Sequence, residues 1–220
     1  LPRAHVKVGL LVTWLMDAMR PEIGFSAIKL LEAAGCEVAV PDAQTCCGQP
    51  AYNSGDAVNA RELAAKALKE FESFDYVVVP SGSCAGQIKI HFARLFDDDL
   101  QLRARAERLA AKTYELTDFL ANVAPRRGLR AVSLGRITYH DCCSGLRELG
   151  IKSQPRALLA AVGVTVTEMK DCEQCCGFGG TFALKFSDIS NAMVEKKSRN
   201  IAAAAPAMLL AGDLGCLMNM

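Results

Sequence analysis

Two copies of the tripeptide Cys-Cys-Gly, at Cys46-Cys47-Gly48 and at Cys175-Cys176-Gly177, constrain this chain more than any other feature. Adjacent cysteines followed by glycine are uncommon, so two copies within 220 residues indicate a duplicated cysteine site. The spacing before each copy agrees, because 31 residues separate Trp14 from the first motif and 31 separate Cys143 from the second. The spacing predicts a tandem duplication in which Trp14 occupies the position that Cys143 holds in the second copy.

The spacing after the motifs supports the same duplication. From the second cysteine of each motif, 36 residues lead to Cys84 in the first copy and 39 lead to Cys216 in the second. Two copies are too few for a solenoid, so we expect two similar halves, at residues 1–125 and 126–220. The break between them is predicted at 125–128, a Pro-Arg-Arg-Gly segment.

Apolar runs typical of buried strands alternate with amphipathic segments typical of helices in both halves. The predicted strands are 7–13, 36–40, 75–80, 129–139, 164–168 and 207–211. The predicted helices are 21–34, 57–71, 88–96, 103–122, 155–162 and 187–205. This order predicts an α/β protein of two pseudo-symmetric tandem halves, each a parallel sheet with crossover helices. Because such sheets bind ligands beyond the carboxyl ends of their strands, we expect a cysteine site at that edge of each half.

Composition excludes several classes of partner. Lys and Arg number 25 against 24 Asp and Glu, so the chain has no excess of positive charge for binding nucleic acid. The early apolar run at 8–16 is too short to cross a bilayer and lacks the flanks of a signal peptide, so we expect no direct membrane insertion. Ten cysteines without a secretory signal indicate metal binding or thiol chemistry in the reducing cytoplasm rather than a disulfide framework.

Thiolates collected from several loops suit zinc or an iron-sulfur cluster, since thiolate is a soft ligand. Zinc sites usually combine two Cys-x2-Cys pairs, and here only Cys172 and Cys175 have that spacing. An adjacent cysteine pair with distant single cysteines instead favours a polynuclear centre, and the glycine lets the backbone approach it closely. Cys36, within a predicted strand, is expected to be a small core residue. The chain has no Gly-x-Gly-x-x-Gly segment, so nicotinamide binding is not expected.

Cys-Cys-Gly motifs flanked by an upstream and a downstream cysteine resemble the CCG, or cysteine-rich, domain family. That family includes the B subunit of heterodisulfide reductase and the iron-sulfur subunits of glycolate and glycerol-3-phosphate oxidising complexes. Several segments resemble in particular the lactate utilisation protein A subgroup, which is the CCG-bearing subunit of an L-lactate oxidising complex. These segments are 45–55, 80–84, 139–141, 175–182 and 212–218.

The resemblance implies an iron-sulfur electron-transfer subunit of a complex that oxidises L-lactate, a 2-hydroxy acid, with other iron-sulfur and accessory subunits as its partners. The cofactor it implies is a [4Fe-4S]-type cluster, which is non-cubane in some relatives. The implied ligands are Cys143, Cys175, Cys176 and Cys216 in the second copy and Cys46, Cys47 and Cys84 in the first.

This chain departs from the family pattern at several positions. Trp14 stands where the family usually has cysteine, so the first site could hold no cluster, a smaller one, or zinc. Ser144 and Asn219 stand where relatives often have histidine. Cys142 and Cys172 are additional thiols, and either could act as a substitute ligand.

Other functions remain open on the sequence alone. A cluster at a Cys-Cys-Gly site could reduce a disulfide directly, which would make the chain a thiol-disulfide reductase subunit. The chain could also be a zinc-bound or metal-free scaffold that docks partners. No catalytic residue is assigned, and lactate oxidation could belong to a partner subunit. Trp14 is expected to be a packing residue, although it could instead fill the vacated site. His140 is either a partner of the ligands or a satisfied core histidine.

Overall fold

The structure is a computed structural model that describes residues 6–125 and 133–220. The chain divides into two compact units, Leu1–Arg126 and Arg127–Met220. The part of the predicted break at 126–128 and the first four residues of the strand predicted at 129–139 lie outside the described residues. No helix among the residues that the structure describes is long and apolar enough to cross a membrane.

The first unit is built on a four-stranded parallel sheet with the order β2-β1-β3-β4. Its strands are β1 (Val6–Leu10), β2 (Cys36–Ala39), β3 (Tyr76–Val79) and β4 (Thr113–Glu115). In the register of this sheet Val8 lies opposite Val38 on one side and Tyr76 on the other. The first three strands lie where the apolar runs predict them. The residues Val8–Leu10 of β1 and Val77–Val79 of β3 are buried, whereas β2 is an edge strand in which Glu37 and Ala39 are exposed.

Helices connect and cover these strands. They are α1 (Trp14–Met19), α2 (Pro21–Ala33), α3 (Gln49–Asn53), α4 (Ala57–Phe71), α5 (Gly82–Gly86), α6 (Leu100–Ala111) and α7 (Leu116–Asp118). Helix α4 has the predicted bounds because its apolar residues recur every three or four positions and Asp56 caps its first turn. The helix predicted at 88–96 is a π-helical turn, Gln87–His91, followed by a 3₁₀ turn, Ala93–Phe96.

The helix predicted at 103–122 is interrupted. Helix α6 ends at Ala111, and the chain then forms strand β4, in which Thr113 lies opposite Val77. Helical structure resumes in α7 and in a π-helical turn, Phe119–Val123. The backbone of the third strand needs a partner on its open side, and Tyr114 packs its ring against Tyr76 once the pairing forms. Pairing with a distant strand therefore outweighs the helical pattern of the local sequence.

The second unit contains a two-stranded parallel sheet of β5 (Ile137–His140) and β6 (Met208–Ala211). The strand predicted at 164–168 is reduced to a single bridge between Val166 and Ile137. The helices of this unit are α8 (Cys143–Leu149), α9 (Ser153–Ala161), α10 (Phe182–Lys185), α11 (Ser187–Ala204) and α12 (Leu214–Asn219). The α/β class, the parallel sheets and the two-half organisation are confirmed, although the second sheet is smaller than the first.

Candidate metal centre

Five cysteines of the second unit converge just beyond the carboxyl ends of its two strands. Strand β5 leads into Cys142 and Cys143, and β6 leads into Cys216 at the start of α12. The loop before α10 supplies Cys175 and Cys176. Hydrogen-bonding interactions join the five side chains in series, in the order Cys143, Cys175, Cys176, Cys216 and Cys142. The fold therefore brings together all four predicted ligands of this half.

The backbone of the Cys-Cys-Gly loop explains its glycine. Gly177 has a φ of +89°, which residues with a Cβ rarely adopt, and its N–H donates to Cys175 Sγ at 3.4 Å. A Cβ at this position would lie 2.7 Å from the carbonyl oxygen of Ser190. The hydroxyl of Ser190 also donates to the carbonyl oxygen of Gly177 at 2.9 Å, so helix α11 stabilises the position of the loop.

The thiols of this site differ in how readily they ionise. Interactions with the thiols of Cys143 and Cys176 hold the pKa of Cys175 well below its ordinary value. The pKa of Cys143 is raised by its interaction with Cys175 and by burial, and the pKa of Cys176 is raised to about 11 mainly by Cys175. One thiolate therefore forms readily at Cys175, and a soft cation would draw protons from the others as it binds.

A histidine lies against the cysteines. His140 is fully buried, and its imidazole interacts with the backbone of Cys172. A ring nitrogen and the Sγ atoms of Cys176 and Cys216 all lie within 4.8 Å of one another. Burial, followed by the charge of Lys197, lowers the pKa of His140 to about 4, so the imidazole is neutral. A neutral imidazole beside two thiols is the form that binds a metal ion or donates to a bound sulfur atom, and this position is compatible with both alternatives given for His140.

Two charged side chains fix the loops around the site. Lys197 of α11 is 2% exposed, and its Nζ donates to the carbonyl oxygens of Asp171 at 2.6 Å and Cys172 at 3.1 Å. Arg156 of α9 forms ion pairs with Asp141 at 2.8 Å and Glu168 at 2.6 Å. These contacts hold the segments immediately before the cysteine pairs of both loops.

Three further residues that the sequence singled out have supporting or peripheral positions. Asn219 donates from Nδ2 to the carbonyl oxygen of Cys176 at 2.9 Å, so it also supports the loop. Cys172 interacts with Glu168 rather than with another cysteine, and burial raises the pKa of its thiol. Ser144 bonds Glu148 of its own helix, so it makes no hydrogen bond to a cysteine.

The first unit brings together three cysteines. Cys47 Sγ lies 3.1 Å from Cys84 Sγ, and Cys46 interacts with Cys47. That interaction and the N–H of Gly48 lower the pKa of Cys46 to about 6. Gly48 has a φ of +80°, as its counterpart in the second loop does. The two loops therefore share a backbone form and a low-pKa first cysteine. Cys36, buried in β2, is the small core residue that its position predicts.

Trp14 does not pack in the interior, so the expectation that it is a packing residue is wrong. Its side chain is 57% exposed at the start of α1. Trp14, Phe25 and Cys46 line a cavity of about 440 Å³ between α1, α2 and the loop after β2. Trp14 therefore borders the first cysteine site and adds no thiol to it.

The donor chemistry of the two sites differs. The second offers five thiols and a neutral imidazole, enough for a tetrahedral zinc ion or an iron-sulfur cluster, and the first offers three thiols. All ten cysteines are free. The ligand set of the second site thus fits a thiolate-held metal centre, and that of the first is one ligand short of the usual four.

The chain is a protein of two cysteine-rich domains, because residues 11–89 and 137–220 both match the family model of the CCG cysteine-rich domain. It belongs to the CCG family and, within it, to the group of lactate utilization proteins A. The chain is 43% identical over 216 residues to Lactate utilization protein A 2 of Bacillus cereus (strain Q1), covering 98% of this chain and 89% of that protein. It is 46% identical over 216 residues to Lactate utilization protein A of Geobacillus kaustophilus (strain HTA426), with coverages of 98% and 90%. These matches confirm the resemblance seen in the cysteine spacing.

Proposed function

We propose that the chain is an iron-sulfur electron-transfer subunit of a system that oxidises L-lactate. The observation that carries this proposal is the series of five thiols beside a buried neutral imidazole at the edge of the second sheet. Curated relatives named for lactate utilization, over 40% identical across nearly the whole chain, support lactate as the source of electrons.

The ligands that we propose for the second centre are Cys143, Cys175, Cys176 and Cys216. When bound, a [4Fe-4S]-type cluster supplies a one-electron carrier, and its potential depends on hydrogen bonds to its sulfur atoms and on exposure to solvent. The residues of this chain provide both a hydrogen bond to a ligand sulfur atom and burial from solvent. Cys176 and Cys216 are 1% and 5% exposed, and the Gly177 N–H already donates to the Sγ of Cys175.

Lys197 contributes a positive charge next to a group of thiolates that is strongly negative once metal is bound. Its ammonium group is held by two carbonyl oxygens of the loop rather than by a carboxylate. The charge is therefore not neutralised locally by a hydrogen-bonded acid, and it favours the more negative, reduced state of the centre.

The first site, with Cys46, Cys47 and Cys84, is proposed as an altered copy that holds a smaller cluster, zinc or no metal. Trp14 occupies the position of the missing thiol and is exposed beside Cys46. We place the chain in the cytoplasm, because free thiols persist in that compartment. Its proposed partners are other iron-sulfur and accessory subunits, one of which would oxidise lactate.

Anaerobic purification tests this function. The protein should contain iron and sulfide, with a visible absorption band that L-lactate bleaches only when partner subunits are added. A colourless protein that takes up no iron on anaerobic reconstitution would refute the electron-transfer function. Stoichiometric zinc without iron would favour a scaffold. If a disulfide substrate restores the visible absorption band of the reduced protein in the absence of partner subunits, a thiol-disulfide reductase would be favoured.

A further inference from the structure

We propose that Cys142 is a fifth thiolate ligand of the second centre, which would then be held by adjacent cysteine pairs from both loops. This inference rests on the proposed metal centre and concerns a residue outside the four ligands given above.

Cys142 packs with the cysteines of the site. It is 7% exposed and forms one buried cluster with Cys176 and Cys216, against which Phe178 and Met220 pack. Buried free cysteines often act only as small apolar core residues. In this cluster the other two buried members are both thiols of the site.

The five thiols follow an order that begins and ends at neighbouring residues. Cys143 interacts with Cys175 at one end of the series, and Cys142 interacts with Cys216 at the other. The two adjacent side chains thus reach opposite ends of the same series. A centre of several metal ions needs ligands that reach its different ions, whereas a single tetrahedral ion uses four donors at most.

The equivalent residue in the first unit has a different task. By the spacing of the duplication, Cys142 corresponds to Thr13, and both residues precede the first turn of a helix. The hydroxyl of Thr13 caps that helix by accepting from the N–H of Met16 at 3.3 Å. The side chain of Cys142 caps nothing in α8 and turns to Cys216 instead. Its thiol is therefore available to a metal.

The residues immediately before Cys142 are held by buried contacts, which limits the movement of its thiol. Asp141 is 1% exposed and is bound bidentately by Arg156, with contacts of 2.8 and 3.0 Å. His140 is buried in strand β5, and one of its ring nitrogens lies within 4.8 Å of the Sγ atoms of Cys176 and Cys216. A ligand positioned before metal arrives loses little conformational entropy on binding.

The test compares three variants of the full-length chain, Cys142→Ala, Cys216→Ala and Cys172→Ala. Each metal-free protein is titrated anaerobically with Cd²⁺, and the sulfur-to-cadmium charge-transfer absorbance is recorded at saturation. At saturation more than one Cd²⁺ shares the five thiols, so every thiol contributes to the absorbance. We therefore expect Cys142→Ala to lose as much absorbance as Cys216→Ala, and Cys172→Ala to match the unsubstituted chain. Far-UV circular dichroism of the metal-free proteins checks that the variants are folded.

A second measurement uses the iron-loaded proteins and keeps the two proposals separate. Cys142→Ala should lower the iron bound per chain or alter the electron paramagnetic resonance spectrum of the reduced centre, while Cys172→Ala leaves both unchanged. If Cys142→Ala retains the cadmium absorbance, the iron content and the spectrum of the unsubstituted chain, Cys142 is not a ligand. If the unsubstituted chain binds no iron but loses cadmium absorbance on Cys142→Ala, the ligand inference stands and the electron-transfer function fails.

Discussion

Replacing Gly177 with alanine should damage the second cysteine site more than the same replacement at Gly48 damages the first. Both glycines have a positive φ, +89° and +80°, so a Cβ at either position costs about 1–2 kcal/mol of backbone strain. The surroundings of the added carbon differ. At Gly177 it would lie 2.7 Å from the backbone oxygen of Ser190, whereas at Gly48 its nearest neighbour is the Cβ of Leu63 at 3.4 Å.

The overlap at Gly177 involves a backbone atom of helix α11, so a side-chain rotation cannot relieve it. Overpacking of this kind costs about 1–3 kcal/mol. We therefore expect Gly177→Ala to destabilise its unit by about 2–5 kcal/mol, the sum of about 1–2 for strain and about 1–3 for overlap. Gly48→Ala should cost its own unit only the strain, about 1–2 kcal/mol.

Hydrogen–deuterium exchange of the metal-free protein measures the two units separately. Since about 1.4 kcal/mol corresponds to a tenfold change, the slowest amides of α11 should exchange at least about 30-fold faster in Gly177→Ala. The slowest amides of α4 in Gly48→Ala should change by only about 5- to 30-fold. Equal effects, or a milder effect at Gly177, would refute the explanation of this glycine by its contact with Ser190.

Three further outcomes follow from the contacts. Arg156→Met leaves the buried carboxylate of Asp141 without its ion pair and should lower the free energy of unfolding, measured by urea denaturation, by about 3–5 kcal/mol. The control Arg199→Met breaks an exposed ion pair and should lower it by at most about 1 kcal/mol. Burial raises the pKa of Glu115 from 4.5 to about 7, so the folded state holds this proton more tightly than the unfolded state, and the wild-type chain loses stability as pH rises from 4.5 to about 7. In thermal melts at pH 8, Glu115→Gln should be up to about 3 kcal/mol more stable than the wild-type chain, and below pH 4.5 the two should be equally stable. Trp14→Cys supplies a fourth thiol to the first site and should raise the iron bound per chain, while Trp14→Phe should not; equal iron in both variants would contradict the duplicated-site interpretation.

The parts of the fold that the sequence predicts are those with strong local signals. The valine run of β3 is typical of a buried strand, and the alanine and leucine residues of α4 recur at the spacing of one helix face. In each case the local sequence fits one type of secondary structure. The cysteines follow strands in the sequence, and parallel strands bring their carboxyl ends to one edge, so the convergence at each edge also follows from the chain order.

The parts that the sequence does not predict depend on distant partners. Strand β4 continues a helical pattern and becomes a strand only because β3 lies beside it. The residue Lys197 looks like any lysine of a polar helix, and its burial follows from two carbonyl oxygens of a loop 25 and 26 residues away. The position of Cys142 depends on the direction of one side chain at the start of α8, which its adjacency to Cys143 does not determine.

The central proposal is that the second cysteine site holds the metal centre of this chain. Its most direct test is the iron bound per chain after anaerobic reconstitution of Cys175→Ala and Cys46→Ala, which remove corresponding cysteines from the two loops. We predict that Cys175→Ala loses the iron and the visible absorption, while Cys46→Ala keeps both. Loss of iron in Cys46→Ala with retention in Cys175→Ala would contradict the account.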